Sequence, residues 1–319
     1  MFAGRDATLD DEPVNQEAGQ PALGNGGREV ILSVIDDATS IGEVKRLAGG
    51  RSSRTVQRIL VTTRSGTQPV VLKRFPADRA GAAAEWRALT AVEHFPVPSP
   101  PPLFLDHDGA RFGDPAVVMG ALPGTVLGEV PRGVTWLRRA TAAMARLHVI
   151  PLSTVPAGIP AWPRLLDRWT PGGLPPALGK AAAEVIAELR HRATVARRAF
   201  CHGDFYLGNL LFAGQVLTGI VDWERAKIMP GGNEVARFRM DLAIHPGGDA
   251  PGVFLDAYLK QTAAPAVQDL ALWDVLAGAV GLASADRSRQ GLQDIGVSLD
   301  TVTVARRATS CLENALARC

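Results

Sequence analysis

The chain has 319 residues, 46% hydrophobic and 21% charged, with a net charge of +2. That length can bury a sizeable core in one large domain or two modest ones. The near-neutral balance points neither to a nucleic-acid stripe nor to a membrane-binding face. Three cysteines, Cys201, Cys311 and Cys319, are odd in number and lack metal-ligand spacing, so no disulfide framework or zinc site is indicated. The N-terminus has no basic-then-apolar signal pattern, and a cytoplasmic enzyme is the default expectation.

In chain order, residues 1–28 are polar, rich in Gly and Asp/Glu, and read as a disordered tail. A strand-like pattern begins near Glu43. "EVKRLAGG" leads through "RSS" to "TVQRILVTT", a turn at "RSGTQ", and "PVVLKRF", two β runs joined as a hairpin at Ser65-Gly66. "AGAAAEWRALTAVEHF" has helical period and stops before Pro96. "PVPSPPPLF" must be an extended connector, and "DPAVVMGALPG" supplies one more buried strand. Beyond residue 124 the chain turns helical, in "TWLRRATAAMARLHVI", "PALGKAAAEVIAELRHRA" and segments near 253–262, 268–285 and 299–317. The apolar run "VLAGAVGLASA" (275–285) is too short to span a bilayer and reads as a buried helix. The fold class expected is α+β, two lobes around a cleft: residues 29–122 β-rich and nucleotide-binding, 123–319 mainly helical, catalytic and acceptor-binding.

The stretch "FCHGDFYLGNLLF" (200–212) interrupts an apolar run with His202, Asp204 and Asn209, groups that are costly to bury unless paired or used. Two short β runs follow, Asn209–Phe212 and Val216–Asp222, separated by Ala213-Gly214-Gln215. Pairing them antiparallel brings Asn209 and Asp222 side by side. An amide oxygen and a carboxylate form a hard-oxygen site suited to Mg²⁺. Asp204, five residues before Asn209, can then accept the proton of an attacking hydroxyl. His202 reads as an orienting, hydrogen-bonded core histidine and Cys201 as a small core residue.

The front half should hold the nucleotide. "LAGGRSSRT", with Gly49, Gly50, Ser52 and Ser53, can fold over phosphates and donate backbone N–H groups, or be a plain hairpin turn. Lys73 ends an apolar strand, either as a snorkelling edge residue or as a phosphate-binding cation. Glu85, twelve residues on, can hold that lysine from the following helix or face solvent there.

These motifs together, "LKRF", "EWRAL", "VVMGALPG", "MARLH", "HGDFYLGNLLF", "IVDWERA" and "DLA" at 241–243, resemble the aminoglycoside phosphotransferase and choline kinase-like family over roughly residues 43 to 285. The resemblance implies a protein-kinase-like fold, with Asp204 as catalytic carboxylate and Asn209 and Asp222 binding Mg²⁺. It also implies Lys73 on the phosphates of ATP, and Met119, Gly120 and Leu122 beside the adenine, the last two through backbone groups. Two departures stand out. Phe205, Tyr206 and Leu207 replace the family's usual "LHP", and "MPGGNEVARFR" (229–239) reads as an insertion forming an acceptor-side loop.

The function expected is transfer of the ATP γ-phosphate to a hydroxyl of a small molecule, an antibiotic or related natural product, with no nucleic-acid or membrane partner. Kinase action on a primary metabolite such as an amino alcohol or sugar is an alternative. A dead regulatory module of the same fold is another, although Lys73, Asp204, Asn209 and Asp222 are all present. A protein kinase is disfavoured, since "HRD", "DFG" and "APE" are missing. From residue 151 onward, 16 Asp/Glu stand against 17 Lys/Arg, which argues against a strongly polycationic acceptor.

Overall fold

The computed structural model describes residues 23–47, 53–76, 80–127, 131, 133–161, 166, 170–261 and 267–319. Helix α1 (Asn25–Ser33) precedes strands β1 (Ala38–Arg46), β2 (Thr55–Thr63) and β3 (Gly66–Arg74), helix α2 (Gly81–Val92), and strands β4 (Pro102–Asp106) and β5 (Ala116–Gly120). The five strands form one antiparallel sheet in the order β1-β2-β3-β5-β4.

Alternation along β3 and β5 decides what each face of this sheet carries. Val70 and Leu72 join Ile59, Val61, Ala116 and Val118 on one face, where Val30 and Ile31 of α1 complete a core. Burying each valine, leucine or isoleucine side chain there contributes ~1.5–3 kcal/mol. Val71, Val117 and Met119 point to the opposite face and join α2 and the helical half of the molecule. Lys73 shares the parity of Val71, so the pleat carries its ammonium to this inner face. Arg74 is carried to the outer one, where its guanidinium is buried and donates to Gln57 Oε1 at 2.5 Å.

The second half contains α3 (Thr135–His148), α4 (Pro176–Ala193), α5 (Gly231–Ile244), α6 (Ala250–Gln261), α7 (Leu270–Ala283), α8 (Ala285–Asp294) and α9 (Thr301–Leu316). Short strands separate α4 from α5. β7 (Arg198–Cys201) pairs with β10 (Lys227–Pro230), while β6 (Thr125–Val126), β8 (Leu210–Ala213) and β9 (Val216–Ile220) form a three-stranded sheet. α7 is apolar nearly all round and buries Trp273, Val275, Leu276 and Ala279. A Cβ on its Gly278 would lie 2.9 Å from the Leu312 backbone, so the glycine allows α7 and α9 to approach closely. No helix among the described residues is long and apolar enough to cross a membrane.

Several boundaries differ from expectation. Residues 25–28 begin α1, whose Val30 and Ile31 are buried against the sheet, so the tail cannot extend to residue 28; residues 1–22 lie outside the described set. The first strand starts at Ala38 rather than near Glu43. α8 was not expected, because its polar sequence "ADRSRQGLQD" carries a single buried residue, Ala285. Most consequentially, 229–239 is not a loop. Met229 and Pro230 end β10, and α5 starts at Gly231. The Gly-Gly pair disguised this helix, but a Cβ on Gly232 would sit 2.7 Å from the Trp273 ring, so packing requires the glycine.

Candidate active site

The pleat of β3 and the first turns of α2 bring Lys73 and Glu85 together: Lys73 Nζ lies 2.5 Å from Glu85 Oε2, with both side chains buried. The same ammonium bonds Asp222 Oδ1, 149 residues away, and stands 3.4 Å from Glu224 Oε2. Burial alone would lower the Lys73 pKa, but Glu85, Asp222 and Glu224 outweigh it and raise it, so the lysine is charged. Burial pushes the Glu85 carboxyl up against the opposing pull of Lys73. Burial works the same way on Asp222, yet the lysine prevails and holds its pKa below the ordinary value. Lys73 is therefore neither a snorkelling edge residue nor solvated, and Glu85 does not face solvent. Asp222 reaches this position from a left-handed backbone, φ 68° and ψ 60°, a conformation of the kind that persists where surrounding structure over-determines it.

The expected hairpin forms with a shift of one residue. Ala213 pairs with Val216, making a two-residue turn at Gly214-Gln215, and Leu210 pairs with Ile220. Asn209 lies just before β8 and its carbonyl accepts from Val221 N at 2.9 Å, next to Asp222. Its side-chain Nδ2 donates to the Asp204 carbonyl at 2.9 Å, so the amide oxygen is the atom left to act as a ligand.

His202 is buried. Its Nε2–H donates to the Val221 carbonyl at 3.0 Å, and its Nδ1 accepts from the Asp204 N–H at 3.3 Å. Burial pushes its pKa down, so the neutral ring ties the Asp204 backbone to the strand entering Asp222. This is the orienting histidine expected. Gly203, at φ 81°, has no room for a Cβ, which would lie 2.1 Å from the Arg225 carbonyl oxygen. Asp204 itself is a quarter exposed, with Oδ1 3.4 Å from Arg237 Nη2.

Glu234 is the residue that sequence reading missed. Its carboxylate, buried on the first turn of α5, accepts from Gly203 N at 2.6 Å and His202 N at 3.2 Å. It also bonds His148 Nε2 at 2.9 Å, while His148 Nδ1 bonds the Tyr258 hydroxyl at 2.7 Å. Burial would raise the Glu234 pKa, but these donors lower it. His148, Cys201 and Glu234 lie close enough to suggest a metal group, yet His148 and Glu234 are committed to these hydrogen bonds, and burial keeps Cys201 a thiol. The only signal available in sequence was an acid followed by the apolar pair Val235-Ala236. Arg237 also donates to the Gly203 carbonyl at 3.0 Å.

On the nucleotide side, Met119 is buried on the inner face of β5 opposite Val71. The Gly120 N–H is taken by the Pro101 carbonyl at 2.9 Å, so Gly120 can offer only its carbonyl. Leu122 packs so closely on β9 that a Cβ at Gly219 would meet its Cδ1 at 2.3 Å. Ser53 is buried just before β2; Gly49, Gly50 and Ser52 lie outside the described residues.

For a divalent cation, Asp222 and Asn209 supply charged and neutral oxygens at adjoining positions. The buried Glu224 Oε2 beside them accepts no hydrogen bond, and Glu85, Asp222 and Glu224 cluster within 4.8 Å. This donor set fits a hard cation such as Mg²⁺.

The sequence profile of the phosphotransferase enzyme family matches residues 43–273, more than half of the chain. No curated protein matches the sequence. Among solved structures, a Ralstonia eutropha JMP134 protein provisionally designated an aminoglycoside phosphotransferase superposes with TM-score 0.64 at 15% identity, over 92% of this chain and 96% of that one. Macrolide 2'-phosphotransferase MphH from Brachybacterium faecium gives TM-score 0.55 at 16% identity, over 81% and 94%. APH(2")-IIIa, solved with GDP and kanamycin, gives 0.57 at 18%, over 91% and 98%. At such identities the superpositions speak for the fold, while the profile match speaks for the family. The chain belongs to the phosphotransferase enzyme family, a small-molecule phosphotransferase with a protein-kinase-like fold.

Proposed function

We propose that the protein is an ATP- and Mg²⁺-dependent O-phosphotransferase whose acceptor is a hydroxylated small molecule, an antibiotic or related natural product. The observation that carries this reading is the convergence of Lys73, Glu85 and Asp222 across the cleft, with Asp204 and Asn209 on the adjoining loop. Intact phosphotransfer machinery of this kind disfavours a dead module. The relatives solved with hygromycin B or kanamycin and an adenine or guanine nucleotide support a nucleotide and a hydroxylated acceptor here.

In this reading Lys73, steadied by Glu85, positions the nucleotide phosphates, and Asp222 and Asn209 hold the cation. Mg²⁺, when bound, offsets the charge on the β- and γ-phosphate oxygens. Asp204 receives the acceptor's hydroxyl proton, and its reach is set by the His202 ring and the Glu234 carboxylate behind the loop. Positioning and charge stabilisation account for most of the catalysis in such a site. A coupled ADP-release screen over aminoglycosides, macrolides, nucleosides, amino alcohols and sugars tests it. Acceptor-dependent ADP release with at least one class is expected. Mg²⁺-dependent nucleotide binding without turnover on any of them would favour the regulatory reading.

A further inference from the structure

The stretch between Asp222 and Asp241 holds four basic residues, Arg225, Lys227, Arg237 and Arg239. The fold sorts them. Arg239 turns away and pairs with Asp274 on α7, which also takes Arg318 at 2.8 Å. Arg237 turns the other way, from α5 onto the catalytic loop, bonding the Gly203 carbonyl and standing 3.4 Å from Asp204 Oδ1. Lys227 pairs with Cys201 across β7 and β10, and its side chain lies over Gly203: a Cβ there would sit 2.8 Å from Lys227 Cε.

Lys227 forms no ion pair with any described residue, although its side chain is half-buried. Burial, Arg237 and Arg225 lower its pKa, and Glu234 and Asp204 offset them only in part. Glu234 is already spent on His148 and two backbone N–H groups. Asp241, another acid near Arg237, is half-buried, and desolvation pushes its carboxyl up to about 7, so it neutralises little. A partly buried ammonium beside a guanidinium, with no ion-pair partner of its own, is placed for an anion to pair with both.

We propose that Lys227 and Arg237 form an oxyanion subsite on the acceptor side of Asp204, and that the acceptor carries a carboxylate or phosphate group near the hydroxyl that is phosphorylated. This deepens the phosphotransferase reading and rests on it for the identity of the bound molecule. Arg237 reaches Asp204 and the Gly203 carbonyl, whereas Lys73 is engaged by Glu85, Asp222 and Glu224, so the anion proposed here is distinct from the nucleotide's phosphates.

Two measurements test it. Sulfate is titrated calorimetrically into the enzyme saturated with Mg²⁺ and AMP-PNP, which fills the γ-phosphate position. Wild type should bind it, Lys227→Met and Lys227→Gln should weaken it at least tenfold, and Lys227→Arg should retain it. Absence of sulfate binding in the wild type, or binding indifferent to both neutral variants, overturns the subsite even if no acceptor ever turns over. ADP release is then compared for matched pairs, glucose with glucuronate and adenosine with adenosine 5'-monophosphate. The anionic members should be favoured at least tenfold in kcat/KM, and Lys227→Met should erase that preference while changing the neutral members less than threefold. Equal losses on both members would make Lys227 a contact of the transferred phosphoryl group and overturn the proposal. Lack of turnover across the whole acceptor screen, with sulfate binding intact, would instead count against the phosphotransferase reading.

Discussion

Glu234→Gln isolates what holds the catalytic loop. The carboxylate accepts three hydrogen bonds, from Gly203 N, His202 N and His148 Nε2. A glutamine of the same shape can keep its oxygen on Gly203 N. Its amide nitrogen then faces the other two donors. His148 can switch tautomer against Tyr258, but the His202 N–H cannot, so one buried donor is stranded. That costs ~1–3 kcal/mol. Glu234→Ala strands all three and should cost ~3–5 kcal/mol, the range for removing one partner of a buried pair. Since Asp204 is two residues from His202, loosening the loop by about 1 Å should lower kcat by about 10²-fold. Urea unfolding monitored by tryptophan fluorescence gives the stability, and a coupled ADP assay gives kcat. The sign with pH adds a second check. The folded pKa of Glu234 lies below its ordinary 4.5, so its contribution is present above pH 4.5 and is lost as pH falls through the folded value. The stability gap between wild type and Glu234→Gln should therefore narrow on acidification below pH 4.5. A glutamine variant with wild-type midpoint and kcat would refute the anchoring argument.

Other expectations follow from the same site. Asp204→Asn should leave nucleotide affinity nearly unchanged and lower kcat by roughly 10²–10⁴-fold; comparable turnover would remove Asp204 from proton transfer. Asp222→Ala should abolish Mg²⁺-dependent nucleotide binding by calorimetry, and unchanged affinity would show that the cation sits elsewhere. Lys73→Met should raise KM for ATP and lower kcat together, with Glu85→Gln a milder copy, because Asp222 and Glu224 still surround the lysine; wild-type steady-state kinetics for the Glu85 variant would dissociate the pair from catalysis. Asp241 has its folded pKa raised from 3.8 to about 7, so charging it costs the folded state ~2–4 kcal/mol as pH rises across that window. Asp241→Asn should remove that slope and stabilise the protein at pH 8 relative to pH 5; denaturation midpoints with the wild-type pH dependence would contradict this.

Much of this molecule was determined by local pattern alone. The apolar, β-branched runs "PVVLKRF" and "AVVMG" set the strands, and the two-residue pleat put Lys73 on the face opposite Leu72 and Arg74. The spacing from Asn209 to Asp222 suffices to close a hairpin, so the neighbouring positions of these two residues were legible without tertiary information. "PALGKAAAEVIAELRHRA" formed the helix its period and Pro at the N-terminus dictate. Other features depend on contacts between elements distant in sequence. Glycines at 231–232 look like a loop until Trp273 of another helix fills the space beside them. Glu234 and Arg237 look like ordinary helix charges until α5 docks under the catalytic loop, and only that docking separates Arg237 from Arg239. The choice of partner for Lys73 among three carboxylates, and for Glu234 among three donors, was likewise made by packing. A buried charge takes whichever counter-group the fold delivers within hydrogen-bond reach, and that depends on how elements dock as well as on the pattern within each.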